Sequence, residues 1–436
     1  MELSVFRGEL KIGSLDLAAS ETFFGFTYDN EYLSYSRAVP LSVSLPLADS
    51  RYSADKAKPY FEGLLPEGEA RSIIARRLGI SSSSSVKLLR ALGRDCAGDI
   101  SIVDENENQQ PISGSVYKHG AHVYSRLDGD LSGIAKSPHE EIPRLQEESR
   151  LSLAGGQEKI ALYHNESEPV HEGWYIPLSG SPSTHIIKPG MLERLYPHIT
   201  LNEFLCLRAA KACGICTVEA DILFPETPVI VVRRYDRLYS DAAVNDLKNV
   251  KRIHQEDCCQ ACGVISDMKY EHDGGPGFGQ IRDLLARHSK QPVDDITMFV
   301  RWAIFNYLIG NCDAHAKNLS ILHNSDSTVS LAPIYDLIST AVYDGHFGSK
   351  LSRSMGMKIG IHENIDRINN EDFSGFARDV HTRLRQVISI GEDLIQKLPS
   401  AFSEAGLVAE NKGFSAADEM VSRILNGCNR RIGILS

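Results

Sequence analysis

The chain has 436 residues, 42% of them hydrophobic and 24% charged, which is the composition of a globular protein with enough residues for two or three cores and disfavours a disordered chain. No apolar run approaches the ~20 residues that span a bilayer, and residues 1–7 lack the features of a secretion signal, so we expect a cytoplasmic protein without a membrane partner. The formal net charge of −11 argues against a protein that binds nucleic acid through bulk positive charge.

The first hundred residues predict a small β-rich domain, which we place at residues 1–104. Apolar and polar residues alternate there in three short runs separated by turn residues: 3–5, 24–28 and 43–47. From residue 57 to residue 92 the period becomes helical, with helix ends at Gly79 and Gly93. The serine run 81–85 is either a linker or the serine-capped start of the second helix.

The rest of the chain predicts a small mixed lobe followed by a larger helical lobe. Residues 105–148 are polar and lack periodicity, so we expect a linker there. Beyond it the pattern predicts one helix, 201–213, and three strands, at 160–163, 184–188 and 229–232. Helices dominate from Asp294 onward. We therefore predict an α+β fold with a first lobe at 149–238 and a helical lobe at 239–436.

A polar loop that directly follows a buried helix is the strongest candidate for chemistry. Residues 294–309 are apolar on nearly every face and are followed by Gly310, which predicts a buried helix with a glycine end. The polar residues 311–318 come next, and a loop held by buried structure favours function over simple solvation. A hairpin predicted at 319–331 should then bring Asp336 back beside this loop.

Asp313, Asn318 and Asp336 meet the requirements of phosphoryl transfer. That reaction needs a carboxylate to accept the proton of the attacking hydroxyl, and oxygen ligands to hold Mg²⁺ against nucleotide phosphates. Asp313, Asn318 and Asp336 are the residues that fit these roles. The alternative interpretation makes Asp313 and Asn318 residues that only cap the loop.

Further segments predict contacts to a nucleotide. Gly155 and Gly156 would let backbone amides approach phosphate oxygens, although an ordinary hairpin turn has the same pattern. Lys188 ends an apolar strand, where a buried ammonium needs an anion, unless it points to water. Glu203 lies in a capping-box pattern, so we expect a helix cap rather than an ion-pair partner of Lys188. The strand at 229–232 is the predicted hinge, whose backbone would bind adenine.

Other functional classes remain open at this point. Nine cysteines without a secretion signal predict reduced thiols. The pairs Cys213/Cys216 and Cys259/Cys262 have zinc-like spacing, but their helical context favours buried thiols. A metal-dependent hydrolase that uses His315, a small-molecule phosphotransferase and a non-enzymatic co-repressor are the alternatives to a protein kinase.

Nine ordered motifs carry a resemblance to a known family. They are FEGLLPEG at 61–68, GRDCAG at 93–98, AGGQEK at 154–159, THIIK at 184–188, RYDR at 234–237, QED at 255–257, YEHDGGPG at 270–277, DAHAKN at 313–318 and YD at 335–336. With these motifs the chain resembles the HipA-type serine/threonine kinases, the toxin half of bacterial toxin–antitoxin pairs. The resemblance implies a two-lobed protein-kinase-like fold behind a β-rich N-terminal domain.

The resemblance also implies roles, cofactors and partners. Asp313 would be the catalytic base, Asn318 and Asp336 the Mg²⁺ ligands, and Ser152 the autophosphorylated residue. The residues that would bind ATP are Ala154, Gly155, Gly156, Gln157, Lys188, Arg233, Tyr235, Gln255, His315 and Lys317. The implied partners are a small helix-turn-helix antitoxin (HipB-like), DNA reached only through that antitoxin, and a cytosolic protein substrate such as an aminoacyl-tRNA synthetase, phosphorylated to arrest growth.

Overall fold

The structure is a computed structural model that describes residues 2–16, 23–104, 123–244, 247–343 and 351–434. Its residues form two compact units. The first unit comprises Met1–Pro189, Arg233–Glu256 and Leu322–Ser327, and the second comprises Gly190–Val232, Asp257–Ile321 and Thr328–Ser436. Across the described ranges, no helix is long and apolar enough to cross a membrane.

The first unit begins with a four-stranded sheet in the order β3-β2-β1-β4. Its strands are β1 (Glu2–Arg7), β2 (Leu10–Asp16), β3 (Gly25–Tyr28) and β4 (Ile100–Val103). The pairs that join β1 to β2, β2 to β3 and β1 to β4 are antiparallel. Alternate side chains such as Leu3 and Val5 are fully buried in the core, as period-two patterning requires. The strand predictions at 3–5 and 24–28 are confirmed.

The strand prediction at 43–47 is wrong. Ser42 and Leu45 form only an isolated bridge in a turn. The hydroxyl of Tyr28 accepts a hydrogen bond from the Leu41 amide at 2.8 Å and donates one to the Leu45 carbonyl at 2.5 Å. A buried side chain therefore satisfies backbone groups that a sheet ladder would otherwise satisfy.

Four helices lie between β3 and β4: α1 (Asn30–Ser34), α2 (Ala54–Glu62), α3 (Gly68–Arg77) and α4 (Ser85–Leu92). Gly79 has a positive φ just after α3, and Gly93 follows α4, so both predicted helix ends are confirmed. Ser84 occupies the N-cap position of α4, but its side chain makes no capping hydrogen bond. The serine run therefore leads into a helix without capping it through Ser84.

Residues 123–149 contain regular structure where the sequence predicted an irregular linker. They form β5 (Val123–Arg126), α5 (Leu131–Lys136) and α6 (Pro138–Ser149), while residues 105–122 lie outside the described ranges. Helix α6 buries Ile142 and Leu145, one helical turn apart, among exposed charged residues that hide the pattern in the sequence. The domain boundaries at 104, 148 and 238 stay predictions.

The remaining strands of the first unit follow α6. They are β6 (Ile160–His164), β7 (Trp174–Leu178) and β8 (His185–Pro189), which extend β5 in the order β5-β7-β6-β8. All three pairings are antiparallel. The strand predictions at 160–163 and 184–188 are confirmed.

The second unit begins with α7 (Ile199–Ala212) and the antiparallel hairpin of β9 (Ala220–Leu223) and β10 (Val229–Arg233). These elements confirm the predictions at 201–213 and 229–232. The capping-box prediction is wrong, because α7 begins two residues earlier than predicted and its N-cap is His198. The carboxylate of Glu193 accepts hydrogen bonds from the His198 and Thr200 amides, and Glu203 is a buried residue within the helix.

The chain returns to the first unit for the hairpin of β11 (Arg237–Val244) and β12 (Leu247–Arg252), and passes through β13 (Gln255–Asp257) into the second unit. The helices that follow are α8 (Cys258–Ala261), α9 (Phe278–His288), α10 (Pro292–Ile309), α11 (Asn370–Asp379), α12 (Leu384–Asn411) and α13 (Ala417–Ile432). The later strands are β14 (Ser320–His323), β15 (Val329–Leu331), β16 (Ser354–Ile359) and β17 (His362–Asn364). Helix α10 buries nearly all of its second half and ends at Gly310, as predicted.

Candidate active site

The loop after α10 is held rigidly by buried polar side chains. Asn311 donates from its side chain to the Asn306 side-chain oxygen at 2.7 Å and accepts the amide of Asp313 at 3.1 Å. On the other side, the Ser339 hydroxyl donates to the Ile309 carbonyl, and the Thr340 hydroxyl accepts the Cys312 amide at 2.8 Å. These contacts fix the backbone that carries Asp313, which is the requirement for a catalytic side chain.

Asp313 and Asn318 are joined by a hydrogen bond within the loop, and their catalytic and metal-binding roles stay predictions. The Asn318 side-chain amide donates to the Asp313 carbonyl at 2.9 Å, and the His315 amide donates to the same carbonyl at 2.9 Å. Asn318 thus caps the loop with its nitrogen, while its oxygen is the end that would bind a metal. The Asp313 side chain is 50% exposed, so its carboxylate is accessible.

Asp336 is reached through the predicted hairpin. Strands β14 and β15 are neighbours in one sheet, and the Ala332 amide donates to the Ser320 carbonyl at 2.9 Å. The Tyr335 hydroxyl donates to the Lys317 carbonyl at 2.8 Å, so the residue before Asp336 contacts the residue before Asn318. Asp336 itself has a φ of 55°, which is unusual for a residue other than glycine and often marks a functional position.

Tyr270 contacts the predicted base and was given no role by the sequence. Its hydroxyl donates to the Asp313 carboxylate at 2.6 Å, and its ring meets the His315 ring edge-on at 5.0 Å. Lys317, by contrast, donates to the Ser266 hydroxyl at 2.9 Å and lies 3.4 Å from the Asp257 carboxylate. Its buried ammonium is therefore balanced by a protein carboxylate, and its predicted contact with ATP stays a prediction.

In the first unit, residues 151–156, which we call the glycine loop, are paired with the N-terminal domain. Leu151 and Gly155 form parallel bridges with Asp95 and Pro66, and the Glu67 amide donates to the Gly155 carbonyl at 3.0 Å. Ser152 is fully buried, and its hydroxyl donates to the Leu64 carbonyl at 2.6 Å. Because helix α6 rather than a strand precedes this loop, the hairpin-turn alternative is wrong.

A buried ionic cluster contacts the glycine loop through the backbone of Asp95. We call Asp95, Ser183, Arg234, Arg237 and Arg252 the Asp95 cluster. The Asp95 carboxylate accepts hydrogen bonds from Arg237 and Arg252 at 2.9 Å and from the Ser183 hydroxyl at 2.7 Å, while its carbonyl accepts the Ser152 amide. Burial alone would raise the pKa of Asp95, but the three guanidinium groups hold it below its ordinary value.

Other residues predicted to bind the nucleotide also lie in the first unit. Lys188 is buried in β8 directly after Ile187. Ile187 pairs with Ile160, the first residue of β6, which follows the glycine loop in the chain. The Tyr235 hydroxyl donates to the Gln255 side chain at 2.6 Å, so these two residues are brought together. The Arg233 guanidinium lies 2.9 Å from Glu166, and the predicted contact of its backbone with adenine stays a prediction.

The zinc and hydrolase alternatives gain no support from the structure. Within the described ranges, no three histidine, cysteine, aspartate or glutamate side chains gather where they could hold a metal ion. Cys213 ends α7, and Cys258 and Cys259 are buried in α8.

Family models match most of the chain. Residues 3–103 match the HipA N-terminal domain, and residues 151–402 match the HipA-like C-terminal domain, which alone covers more than half of the sequence. The chain belongs to the HipA-like family. The predicted family resemblance is therefore confirmed.

Individual relatives match most or all of the chain. The chain is 36% identical to Y4mE of Sinorhizobium fredii over 359 residues, which are 81% of this chain and 80% of that protein. It is 28% identical to the serine/threonine-protein kinase toxin HipA of Shewanella oneidensis over 100% of this chain and 97% of that protein. The solved complex of S. oneidensis HipA with HipB and its operator DNA matches with a TM-score of 0.80 at 26% identity, covering 99% of this chain and 98% of that one. The predicted α+β fold class is confirmed.

Proposed function

We propose that the chain is an ATP-dependent serine/threonine protein kinase, the toxin of a toxin–antitoxin pair, which phosphorylates a cellular protein and also itself. Membership of the HipA-like family, whose relatives include a serine/threonine kinase toxin, supports the class of activity. The observation that carries the proposal is the half-exposed Asp313 carboxylate on a loop braced by Asn311, Ser339 and Thr340. Phosphoryl transfer requires an accessible carboxylate in a fixed position, and the same loop carries Asn318 with its metal-type amide oxygen.

The residues present fit a nucleotide and a divalent metal. Asn318 and Asp336 supply amide and carboxylate oxygens, the donors that Mg²⁺ prefers. Gly155 has a φ of 102°, a conformation that favours glycine, and a Cβ added there would lie 2.8 Å from Nζ of Lys159, so this ammonium lies close to the loop backbone. The backbone amides of the loop and the nearby Lys159 ammonium are the kinds of group that bind phosphate oxygens.

Each residue then has a defined task. Asp313 would orient the substrate hydroxyl and accept its proton, while Asn318 and Asp336 would hold the metal. Lys188 and the glycine loop, with Ala154, Gly156 and Gln157, would bind phosphates. The Arg233 and Tyr235 backbone, with Gln255 and His315, would bind the nucleoside. Mg-ATP supplies the phosphoryl group when it is bound.

The proposed partners correspond to those present in the solved complex of a relative. S. oneidensis HipA is found in a complex with HipB and operator DNA, which supports a HipB-like antitoxin for this chain and DNA contact through that antitoxin. The protein substrate is proposed from the family resemblance alone, with an aminoacyl-tRNA synthetase as the first candidate.

The test is phosphoproteomics after brief expression of the wild-type chain and of Asp313→Asn. We expect new phosphoserine or phosphothreonine on a cellular protein, and on this chain, only with the wild type. Identical phosphoproteomes, together with growth arrest by both proteins, would instead favour a co-repressor. Consumption of ATP without any phosphoprotein would favour a small-molecule phosphotransferase.

A further inference from the structure

The motif at residues 270–277 folds back on itself to present Tyr270. The Tyr270 carbonyl accepts hydrogen bonds from the Asp273 amide at 3.0 Å and from the Gly275 amide at 2.9 Å. An added Cβ at Gly275 would lie 2.3 Å from the Met268 carbonyl oxygen, so only glycine permits this close return of the chain. The glycines of the motif therefore serve to place the tyrosine.

The same strand fixes this segment and the loop that carries Asp313. The Glu271 carboxylate accepts the Lys358 amide at 2.8 Å and lies 3.4 Å from the Lys358 ammonium, on β16. Two residues earlier on β16, the Gly356 amide donates to the Cys312 carbonyl at 2.8 Å. The residue after Tyr270 and the residue before Asp313 are thus both bound to β16, which positions Tyr270 and Asp313 for their contact.

The Tyr270 hydroxyl lies at the distance from Asp313 that a phosphoryl-acceptor hydroxyl would have. A general base holds the hydroxyl that it deprotonates at roughly 2.6–3.2 Å. The Tyr270 hydroxyl donates a hydrogen bond to Oδ1 of Asp313, with 2.6 Å between the two oxygen atoms. Its ring is held by stacking on His272, with centroids 5.4 Å apart, and by the edge-on contact with His315.

We propose that Tyr270 is a positioning residue that occupies the acceptor position on Asp313 until a substrate hydroxyl displaces it. This inference rests on the proposed kinase function. A protein substrate can displace the phenol because binding energy from the rest of its surface compensates for the lost hydrogen bond. Water has no such binding energy, so Tyr270 protects bound ATP from hydrolysis.

The reaction that Tyr270 suppresses is ordinary hydrolysis. A water oxygen would attack the γ-phosphorus of ATP, the bond from that phosphorus to the bridging oxygen of ADP would break, and Asp313 would take the proton released by the water. The products are ADP and inorganic phosphate. This step needs no reactant beyond the ATP of the proposed function.

Tyr270→Phe keeps the ring against His315 and removes the hydroxyl that donates to the Asp313 carboxylate. We expect ATP hydrolysis without protein acceptor to rise about tenfold, because a hydrogen bond to a charged group contributes roughly that factor. The rise should disappear in the double variant Tyr270→Phe/Asp313→Asn. Tyr196→Phe is the matched control, since it removes a phenol hydroxyl from a tyrosine of the same unit that packs on Tyr343. Unchanged or lower hydrolysis in Tyr270→Phe would overturn the inference.

A second measurement does not depend on activity. The chain is labelled with 3-fluorotyrosine, and the Tyr270 signal is assigned in the fluorine NMR spectrum by its loss in Tyr270→Phe. We expect Asp313→Asn to shift this signal, because the acceptor of its hydrogen bond changes. If the signal shifts but no protein transfers phosphate, the proposed function fails while the contact stands. If it does not shift, the inference itself is overturned.

Discussion

The carboxylates of Asp313 and Asp336 have different tasks in the proposed reaction, and their variants should differ accordingly. Asp313→Asn removes a proton acceptor that acts on the reacting hydroxyl, so we expect turnover to fall by about a hundredfold or more while ATP affinity changes less than about twofold. Asp336→Asn removes a metal ligand and should weaken Mg-ATP binding as well. Titration calorimetry with Mg-ATP, together with phosphotransfer rates, measures both effects. Phosphotransfer retained in both variants would contradict the assignment.

Ser152 is the residue whose proposed modification conflicts most with the structure. Its side chain is fully buried, and its hydroxyl donates to the Leu64 carbonyl. A phosphoryl group adds about −1.5 to −2 charges at neutral pH, which this buried position cannot accommodate. Phosphorylation should therefore expel the Ser152 side chain from its buried position and displace the glycine loop.

We expect the chain phosphorylated at Ser152 to bind ATP more weakly than the unmodified chain. Ser152→Ala should bind ATP comparably to the wild type, lose only about 1 kcal/mol of unfolding free energy, and stay unmodified at that residue. Calorimetry on the separated forms gives the affinities, and limited proteolysis near Arg150 reports release of the loop. Equal ATP affinity of the two forms would leave Ser152 as a structural loop residue.

Among the structural elements, the glycine loop depends on the N-terminal domain for its position. Its backbone pairs with residues 66 and 95, and the Asp95 cluster holds one of these two anchor points. A buried carboxylate that faces three guanidinium groups is costly to remove, because the cations lose their counter-charge. The N-terminal domain therefore contributes to the proposed phosphate site through contacts within the first unit.

Asp95→Asn should lower the free energy of unfolding by about 3–5 kcal/mol and should weaken ATP binding. The matched control is Asp16→Asn, which breaks a partly exposed ion pair with Arg51 and should lower the free energy of unfolding by at most about 1 kcal/mol. Urea unfolding of both variants measures the difference. An equal loss of unfolding free energy in the two variants would show that the Asp95 cluster does not stabilise the fold.

The pH dependence of stability provides a second check on this cluster. The pKa of Asp95 is lower in the folded chain than in the unfolded chain, so protons bind the unfolded state better. The contribution of Asp95 is therefore complete above the ordinary aspartate pKa of about 3.9 and is lost as the pH falls below it. The wild type should lose stability faster than Asp95→Asn when urea unfolding is repeated at decreasing pH below about 4.

At the scale of the whole molecule, the acidic net charge argues against direct binding to DNA. With a formal net charge of −11, the chain should not gain affinity by releasing counterions from DNA phosphates. We expect the isolated chain to show no sequence-specific binding to DNA from upstream of its own gene at physiological salt. Addition of the antitoxin should produce a specific complex that contains all three components. Fluorescence anisotropy with labelled DNA tests this, and specific binding by the chain alone would contradict it.

The sequence by itself determined the elements whose patterns are local. Helix α10, its glycine end, the polar loop and the hairpin that leads to Asp336 all follow from the periodicity and turn residues of neighbouring positions. The strands β6, β8 and β10 were predicted for the same reason. The family motifs extended the prediction to the class of protein.

Only the tertiary structure decided which distant residues meet. Tyr270 lies 43 positions before Asp313, and Arg237 and Arg252 lie 142 and 157 positions after Asp95, so no local period relates them. Helix α6 and the cap of α7 were mispredicted because Ile142 and Leu145 are masked by charged neighbours and because Glu193 replaces the expected cap Glu203. Periodicity reports which face of an element is buried, but the partner on that face depends on how the whole chain packs.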